Sequence, residues 1–156
     1  MASRVQIRDR DRGYKALKKR VRRLAQRRKT VDVGVLGEAA AAKHGENLTL
    51  VDVASIQEFG LGNSPERSFI RAWFDGATKD NRAAIRAVSK RVAEGKMTER
   101  QALELLGVKF QADVQRRISR GIPPPNSPVT IDRKGSAIPL IDKGQLLQGI
   151  TYRVAL

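Results

Sequence analysis

Four prolines between residues 123 and 128 constrain the fold of this chain more than any other feature. They stand in the segment Gly121-Ile122-Pro123-Pro124-Pro125-Asn126-Ser127-Pro128. Because proline fixes φ and lacks a backbone N–H, residues 122–128 are expected to be non-helical and to form a stiff, extended connector. A preceding helix must then end near Gly121, and the residues beyond the connector form a separate set of elements.

The residues after the connector predict a loop, a short helix and a strand. Residues 132–136 read as an exposed basic loop, and Asp142 is a suitable N-cap for a helix through Leu147. Gly149 permits a sharp exit from that helix into an alternating strand. The residues predicted to share one face of this strand are Ile150, Tyr152 and Val154.

A second strand is predicted near the start of the domain, over residues 30–37. Its alternating apolar residues are Val31, Val33 and Val35. Residues 38–50 are small and polar and predict a hairpin-like or mobile loop, with the sole histidine, His44, as a solvated side chain. Asp52 is a suitable cap for a short helix ending at Gly60. Its predicted apolar face consists of Val53, Ile56 and Phe59.

Two long helices are predicted between residues 65 and 121. The first follows an aromatic group near Phe69 and Trp73 and runs to about Val92. The second begins at Thr98, where Thr98-Glu99-Arg100-Gln101 has the capping-box pattern, and ends near Ser119. A short link predicts an antiparallel helical hairpin that covers one face of a sheet formed by the two strands and one more. The fold class is therefore α+β, a small, mostly antiparallel sheet packed on a long antiparallel helical hairpin.

The first thirty residues carry most of the positive charge of this chain. They contain thirteen Lys and Arg residues and two acids, within a net charge of +15. Apolar residues at helical spacing predict an amphipathic basic helix: Tyr14, Leu17, Val21 and Leu24. We therefore divide the chain into a basic arm, residues 1–30, and a single domain, residues 31–156, which includes the connector at 121–128.

A concentrated positive arm attracts phosphate backbones or an acidic protein surface. The arm's helix packs its apolar stripe on the domain, or places its charge against such a partner, or does both. The residues predicted to contact nucleic acid or an acidic partner, in the arm and in the basic loop, are Lys18, Lys19, Arg20, Arg22, Arg23, Arg27, Arg28, Arg133 and Lys134.

Catalytic, metal and cofactor sites have no support in the sequence. The chain has no cysteine and one histidine, so it offers neither a thiol nucleophile nor a histidine cluster. Its acidic residues fall on predicted helix surfaces beside Lys and Arg, which is typical of solvated charge pairs. No apolar run approaches the ~20 residues of a membrane span, and no signal peptide is visible. We therefore expect a protein that is not an enzyme, needs no cofactor and does not enter a membrane.

Three segments of the chain resemble a bacteriophage family. They are Pro139–Leu146 followed by Ile150–Val154, Val53–Gly60, and Pro65–Arg71. In this order and at these distances they are similar to tail-component proteins of tailed phages and prophages, which are called tail completion, tail terminator or head–tail joining proteins. The resemblance covers about residues 31–156, and the basic arm is not part of it.

The resemblance implies a structural virion protein of the phage neck. It implies a homo-oligomeric ring around the DNA channel, a hexamer with a dodecamer as the alternative, that joins the tail to the DNA-filled head. Its partners would be other neck, connector and tail-tube proteins, with genomic DNA nearby, and assembly would take place in the bacterial cytoplasm. The residues expected at subunit interfaces are Phe69, Trp73, Pro124, Leu140, Leu146 and Tyr152.

The charge of the arm supports one other function. A small basic nucleic-acid-binding protein, such as a regulator or a packaging accessory, would also carry a concentrated positive segment. A helix-turn-helix would place a basic recognition helix after a short turn, whereas the basic helix predicted here is N-terminal and isolated. Deleting the arm distinguishes the two functions.

Overall fold

The structure is a computed structural model that describes residues 13–16, 18–19, 22, 29–44 and 47–155. Its fold is α+β, as predicted. The strands are β1 (Thr30–Val35), β2 (Lys43–His44), β3 (Leu48–Thr49) and β4 (Ile150–Ala155). The helices are α1 (Glu38–Ala41), α2 (Leu50–Phe59), α3 (Arg71–Gly76), α4 (Thr78–Ala93), α5 (Glu99–Ser119), α6 (Pro128–Lys134) and α7 (Gln145–Gly149).

The main sheet joins the two ends of the domain. Strands β1 and β4 are antiparallel, with Thr30 opposite Ala155 and Val35 opposite Ile150. Strands β2 and β3 form a separate two-stranded hairpin, which confirms the hairpin-like interpretation of that segment. The prediction of a third strand beside β1 and β4 is wrong for the part of the chain that the structure describes, because the main sheet has two strands there.

Helix α5 covers this sheet. The capping box predicted at its start is present, since the Thr98 amide donates to Gln101 Oε1 at 2.9 Å and the Gln101 amide donates to Thr98 Oγ1 at 3.2 Å. Tyr152 of β4 packs against the buried Gly107 of α5, where an added Cβ would lie 2.6 Å from Tyr152 Cε2. A glycine at this position is therefore what lets the strand approach the helix.

The predicted helical hairpin is only partly right. Helix α4 confirms the long helix predicted up to about Val92, and a separate helix α3 precedes it across a break at Ala77. Among its residues only Asn81 and Val92 are buried, and it packs on α5 rather than forming the cover of the sheet. The prediction that both helices of the hairpin cover one face of the sheet is therefore not confirmed.

The core lies between α5, the main sheet and the loops that carry Phe69 and Ile122. Its fully buried side chains are Phe69, Val114, Ile118 and Ile150. Gly149 is also buried, at the end of α7, where an added Cβ would overlap Cδ2 of Leu50. Gly149 is therefore explained by close packing and not by the predicted sharp turn, because its φ is not positive.

The start and buried face of α2 differ from the prediction. The helix begins at Leu50, with Thr49 as N-cap and Asp52 as the third residue of a capping box, so Asp52 is not the cap itself. Its buried residues are Leu50, Ala54 and Glu58 rather than the predicted apolar face, and Phe59 is exposed. The αL residue Gly60 ends the helix as predicted.

The connector and the predicted basic loop also need correction. Residues 122–127 are non-helical, but Pro128 occupies the first position of α6, where its missing N–H costs nothing. Arg133 and Lys134 therefore lie in the last turn of a helix and not in a loop. Helix α7 begins at Gln145 with Gly144 as N-cap, so Asp142 does not cap it.

The described residues of the arm are exposed. Tyr14, Ala16, Lys18, Lys19 and Arg22 are among its helical positions. The rest of the predicted apolar stripe, Leu17, Val21 and Leu24, lies outside the described residues, so the stripe stays a prediction. Lys29, at the end of the arm, pairs with Glu99 at the start of α5.

Candidate interaction groove

A wide apolar groove lies beside β1. It has a volume of about 650 Å³ and runs between β1, α2, α3 and the facing residues of α4 and α5. We call it the β1 groove and define it by the residues that line it: Val31, Val33, Gly34, Val35, Leu36, Val51, Ala54, Ser55, Glu58, Phe59, Phe69, Ile70, Arg71, Trp73, Phe74, Asn81, Ile85 and Phe110. Most of these side chains are apolar, so the β1 groove is suited to bind an apolar partner.

Large apolar side chains stand exposed on the rim of the β1 groove. Val51, Phe59, Phe74 and Ile85 come from three different helices and are between 40% and 62% exposed. Single exposed apolar residues are ordinary, but a group of them around one depression marks an interaction site on most soluble proteins. The rim therefore indicates a surface that a partner covers.

Two polar side chains in the wall of the β1 groove lack hydrogen-bond partners. The Nε1 of Trp73 and both amide atoms of Asn81 are buried and unpaired within the described part of the chain. A buried polar atom without a partner costs about 1–3 kcal/mol. Trp73 and Asn81 thus line the groove with polar atoms that lie unpaired beneath its surface within the described part of the chain.

One edge of the main sheet is unpaired at the β1 groove. Strand β1 bonds to β4 on one side, and none of its residues makes a further backbone hydrogen bond to another described element. An open strand edge presents alternating N–H and C=O groups on which a second strand can pair. Here that edge lies next to an apolar groove, a combination suited to binding an extended peptide.

A buried carboxylate holds the wall of the β1 groove in place. Glu58, near the end of α2, accepts hydrogen bonds from Ser68 Oγ at 2.7 Å and from the amides of Phe69, Ile70 and Arg71 at 2.8, 3.0 and 2.9 Å. The four donors lie on the residues just before α3 and on its first residue. Glu58 therefore fixes where α3 starts, and with it the positions of Trp73 and Phe74.

Two opposing effects set the pKa of Glu58. Burial raises the pKa of this carboxyl, but the hydrogen bonds from Ser68, Ile70, Arg71 and Phe69 together lower it further, so the net pKa lies below its ordinary value. The side chain is 6% exposed. Glu58 is thus a charged structural group that is stabilised by donors rather than by a cation.

Arg67, which precedes Ser68 in the chain, fixes the proline connector to α2. Its Nε donates to the carbonyl oxygen of Pro124 at 2.9 Å, and its Nη2 donates to that of Pro125 at 3.2 Å. Its Nη1 donates to Gln57 Oε1 at 3.3 Å. Burial lowers the pKa of Arg67. Since these partners are neutral, the role of this guanidinium is to clamp backbone and not to neutralise an acid.

The residues predicted to contact nucleic acid are dispersed in the structure. Lys18, Lys19 and Arg22 are exposed in the arm, whereas Arg20, Arg23, Arg27 and Arg28 lie outside the described residues. Arg133 and Lys134 lie beside Arg67 around a polar depression of about 420 Å³ that also contains Asn126 and Ser127.

The residues predicted at subunit interfaces fall into two groups. Phe69, Leu140 and Leu146 are buried in the core, so their side chains are not accessible to another subunit in this conformation. Pro124 is exposed, Tyr152 is half-buried against α5, and Trp73 lies in the wall of the β1 groove, with its ring 5.4 Å from that of Phe110. Trp73 and the buried Phe69 are the members of the predicted set that line the β1 groove.

Several residues of the β1 groove are not marked by any pattern in the sequence. Ile85 lies within the first predicted long helix, and Glu58 lies beside the predicted apolar face of α2. The partners of Glu58 are ten or more residues away in the chain, so they become visible only in three dimensions. Nothing in the sequence pattern marked Asn81.

Within the described part of the chain, no group of three or more His, Cys, Asp or Glu side chains is placed to hold a metal ion. His44 is half-buried, and its Nδ1 donates a 2.8 Å hydrogen bond to Gln145 Oε1 at the surface. None of the helices described is long and apolar enough to cross a membrane.

Comparison with known proteins gives no match: no family model, no curated protein and no solved structure is significantly similar to this chain.

Proposed function

We propose that this chain is a structural, self-associating protein of the tailed-phage neck. Copies of it form a closed ring that completes or terminates the tail and joins it to the DNA-filled head. The observation that supports self-association is the β1 groove, because its apolar rim is exposed and the edge of β1 beside it is unpaired among the described residues. The resemblance of residues 31–156 to phage tail-component proteins supports the place in the virion.

The geometry of the β1 groove favours a ring over a two-fold dimer. The groove is concave, whereas a two-fold interface needs one patch that is complementary to itself. A concave groove pairs with a different, convex part of the next copy, and such head-to-tail contacts close into a ring when the rotation permits. Six copies are expected, with twelve as the alternative. The function is structural and non-enzymatic and needs no cofactor.

A charge placed on the rim of the β1 groove tests this function. Ile85→Asp is expected to raise the concentration needed for self-association about tenfold or more, equivalent to ~1.4 kcal/mol, because the carboxylate must be desolvated in the contact. Native mass spectrometry of the purified chain measures the effect. The matched control is Val129→Asp, an exposed aliphatic residue of α6 that is 78% exposed and outside the β1 groove.

The place in the virion is tested separately, in particles. Phage that lack this protein should accumulate full heads and unattached tails, and those with Ile85→Asp should do so partly. Joined, infectious particles in its absence would overturn the neck assignment. A chain that remains monomeric at every concentration, alone and with tail-tube subunits, would overturn self-association.

Nucleic-acid binding is the second candidate, and the exposed basic residues Lys18, Lys19 and Arg22 favour it. If it is correct, the full chain should bind duplex DNA with an affinity that falls steeply with salt, and removal of residues 1–28 should abolish that binding, because the phosphate contacts release counterions. Filter binding between about 50 and 200 mM salt measures this. An intact ring with no DNA affinity excludes this candidate.

A further inference from the structure

A polar depression beside the proline connector is lined by three cations and by no acid. Its volume is about 420 Å³, and its cations are Arg67, Arg133 and Lys134. We call it the Arg67 depression and define it by these three residues. In the described part of the chain, none of the residues that line it is an aspartate or a glutamate. The Arg67 depression is therefore a positively charged recess in the surface of the domain.

The acids nearest to these cations in the chain do not neutralise them. Glu66 pairs with an arginine of α3. Arg133 and Lys134 form no ion pair with any residue that the structure describes, although Asp132 is adjacent to them in α6. Asp142 lines a separate and smaller depression that Lys134 also borders. The positive charge of Arg133 and Lys134 is thus available to a ligand.

Arg67 is a buried cation without a counter-ion among its contacts. It is 8% exposed, and its three hydrogen bonds go to neutral oxygens, those of Pro124, Pro125 and the Gln57 side chain. A guanidinium has five N–H donors, so two of them remain for another partner. Removing a charge from water is costly unless an opposite charge accompanies it. An anion in the depression would offset that cost.

We propose that the Arg67 depression binds a phosphate group, with Arg67, Arg133 and Lys134 as its cationic ligands. Guanidinium groups match phosphate oxygens with paired N–H donors, and lysine adds a flexible point charge. The side chains of Asn63 and Ser64 line the same depression and supply uncharged donors. The proposed neck function assigns no ligand to this place, and the inference does not depend on ring formation.

The charge and size of the Arg67 depression favour phosphate over a carboxylate. A phosphate monoester carries about −1.5 to −2 charge and three acceptor oxygens, which three cations can engage together. A carboxylate has one charge and two oxygens. The volume of about 420 Å³ lies within the range of small-ligand sites, ~300–1,000 Å³. It therefore accommodates the phosphate together with the group that carries it, which is a nucleic-acid backbone or a small phosphate ester.

Two charge-neutralising variants of the full-length chain test the site. Arg67→Gln would also release the connector, so the test variant is Arg133→Gln combined with Lys134→Gln, which leaves the hydrogen bonds of Arg67 in place. The matched control is Arg82→Gln combined with Arg86→Gln. It removes the same charge from exposed positions of α4 that do not line the depression.

Inorganic phosphate is titrated into each isotope-labelled chain at constant ionic strength, and the Nε–H signal of Arg67 is followed by NMR. We expect a saturable shift in the wild type and in the α4 control. The apparent Kd should be about tenfold higher in the test variant, because two charge-assisted contacts are lost. Acetate at the same ionic strength should give no saturable shift. The inference is overturned by no saturation with phosphate, by equal saturation with acetate, or by equal Kd values in the two double variants.

Two further probes identify the source of the phosphate. If the source is a small ester, adenosine 5′-monophosphate saturates the Arg67 signal, and a short DNA duplex without terminal phosphates does not. If it is a nucleic-acid backbone, the duplex saturates the signal, and the test variant lowers the salt slope of duplex binding by about one relative to the α4 control. Saturation by neither probe would overturn the inference. Ring formation is judged separately, since the Arg67 depression and the β1 groove share no lining residue.

Discussion

Replacing Glu58 with alanine is expected to lower the free energy of unfolding by about 3–5 kcal/mol, because three backbone amides and one hydroxyl lose their acceptor in a buried site. The donors are the amides of Phe69, Ile70 and Arg71 and the hydroxyl of Ser68. Chemical denaturation monitored by circular dichroism measures the loss. Glu58→Gln should recover little of it, since an amide has one acceptor oxygen and its NH₂ group would face backbone donors.

The matched control is Glu66→Ala, which removes an exposed carboxylate of the same segment. Among the described residues Glu66 forms an ion pair with Arg71, and exposed ion pairs contribute about 0–1 kcal/mol. Equal effects at the two positions would contradict the role assigned to Glu58. A change in Trp73 emission should accompany Glu58→Ala alone, because the carboxylate positions the start of α3 and the wall of the β1 groove.

The same carboxylate predicts a pH dependence. Since its folded pKa lies below its unfolded value, Glu58 stabilises the fold above that unfolded value, near 4.5, and this stabilisation is lost as the pH falls towards the folded pKa. The wild-type chain should therefore lose stability below about pH 4.5 more steeply than Glu58→Gln, which has no proton to gain at this position. Parallel pH profiles for the two proteins would contradict this assignment.

Replacing Gly107 with valine is expected to cost about 3 kcal/mol, because overpacking at a buried contact forces side chains and backbone apart. Gly107 lies in the middle of α5, where glycine lowers helix stability by about 1 kcal/mol relative to alanine. Its presence there is explained by the ring of Tyr152, which leaves no room for a Cβ. Thermal and denaturant unfolding measure the cost.

A second substitution separates this contact from a general effect of valine in a helix. Tyr152→Ala combined with Gly107→Val should cost less than the sum of the two single changes, since removing the ring makes room for the new side chain. Gly76→Val in α3 is the control, because an added Cβ there meets no atom within 4 Å. Strict additivity of the Gly107 and Tyr152 changes would contradict the proposed packing.

The parts of the fold that follow from local pattern could be predicted from the sequence. The capping box at Thr98 and the strand alternation at Val31 and Ile150 each depend on residues that are close in the chain. Such signals are strong enough to define α5, β1 and β4 and hence the α+β class. The start of α6 could also have been predicted, because proline is favoured at the first helical position.

The β1 groove could not be predicted in the same way, because it depends on contacts between distant segments. The buried face of α2 includes Glu58. A charged side chain predicts an exposed position, and only the three-dimensional structure shows the four donors that allow its burial. Similarly, Arg67 is buried because the carbonyl groups of Pro124 and Pro125, more than fifty residues away, accept its hydrogen bonds. Hydrophobic periodicity carries no information about such polar partners.

The pairing of β1 with β4 has a consequence for how the protein is made. Thr30 and Ala155 face each other across the sheet, so the central contact of the domain joins residues at nearly the greatest separation that the chain allows. Contacts of this kind form slowly, since the intervening loop must first be closed. Helix α5 can coil while the ribosome is still translating, but the two-stranded sheet that it covers is complete only after β4 has been added. We therefore expect the pairing of β4 with β1 to be a late step in the folding of the domain.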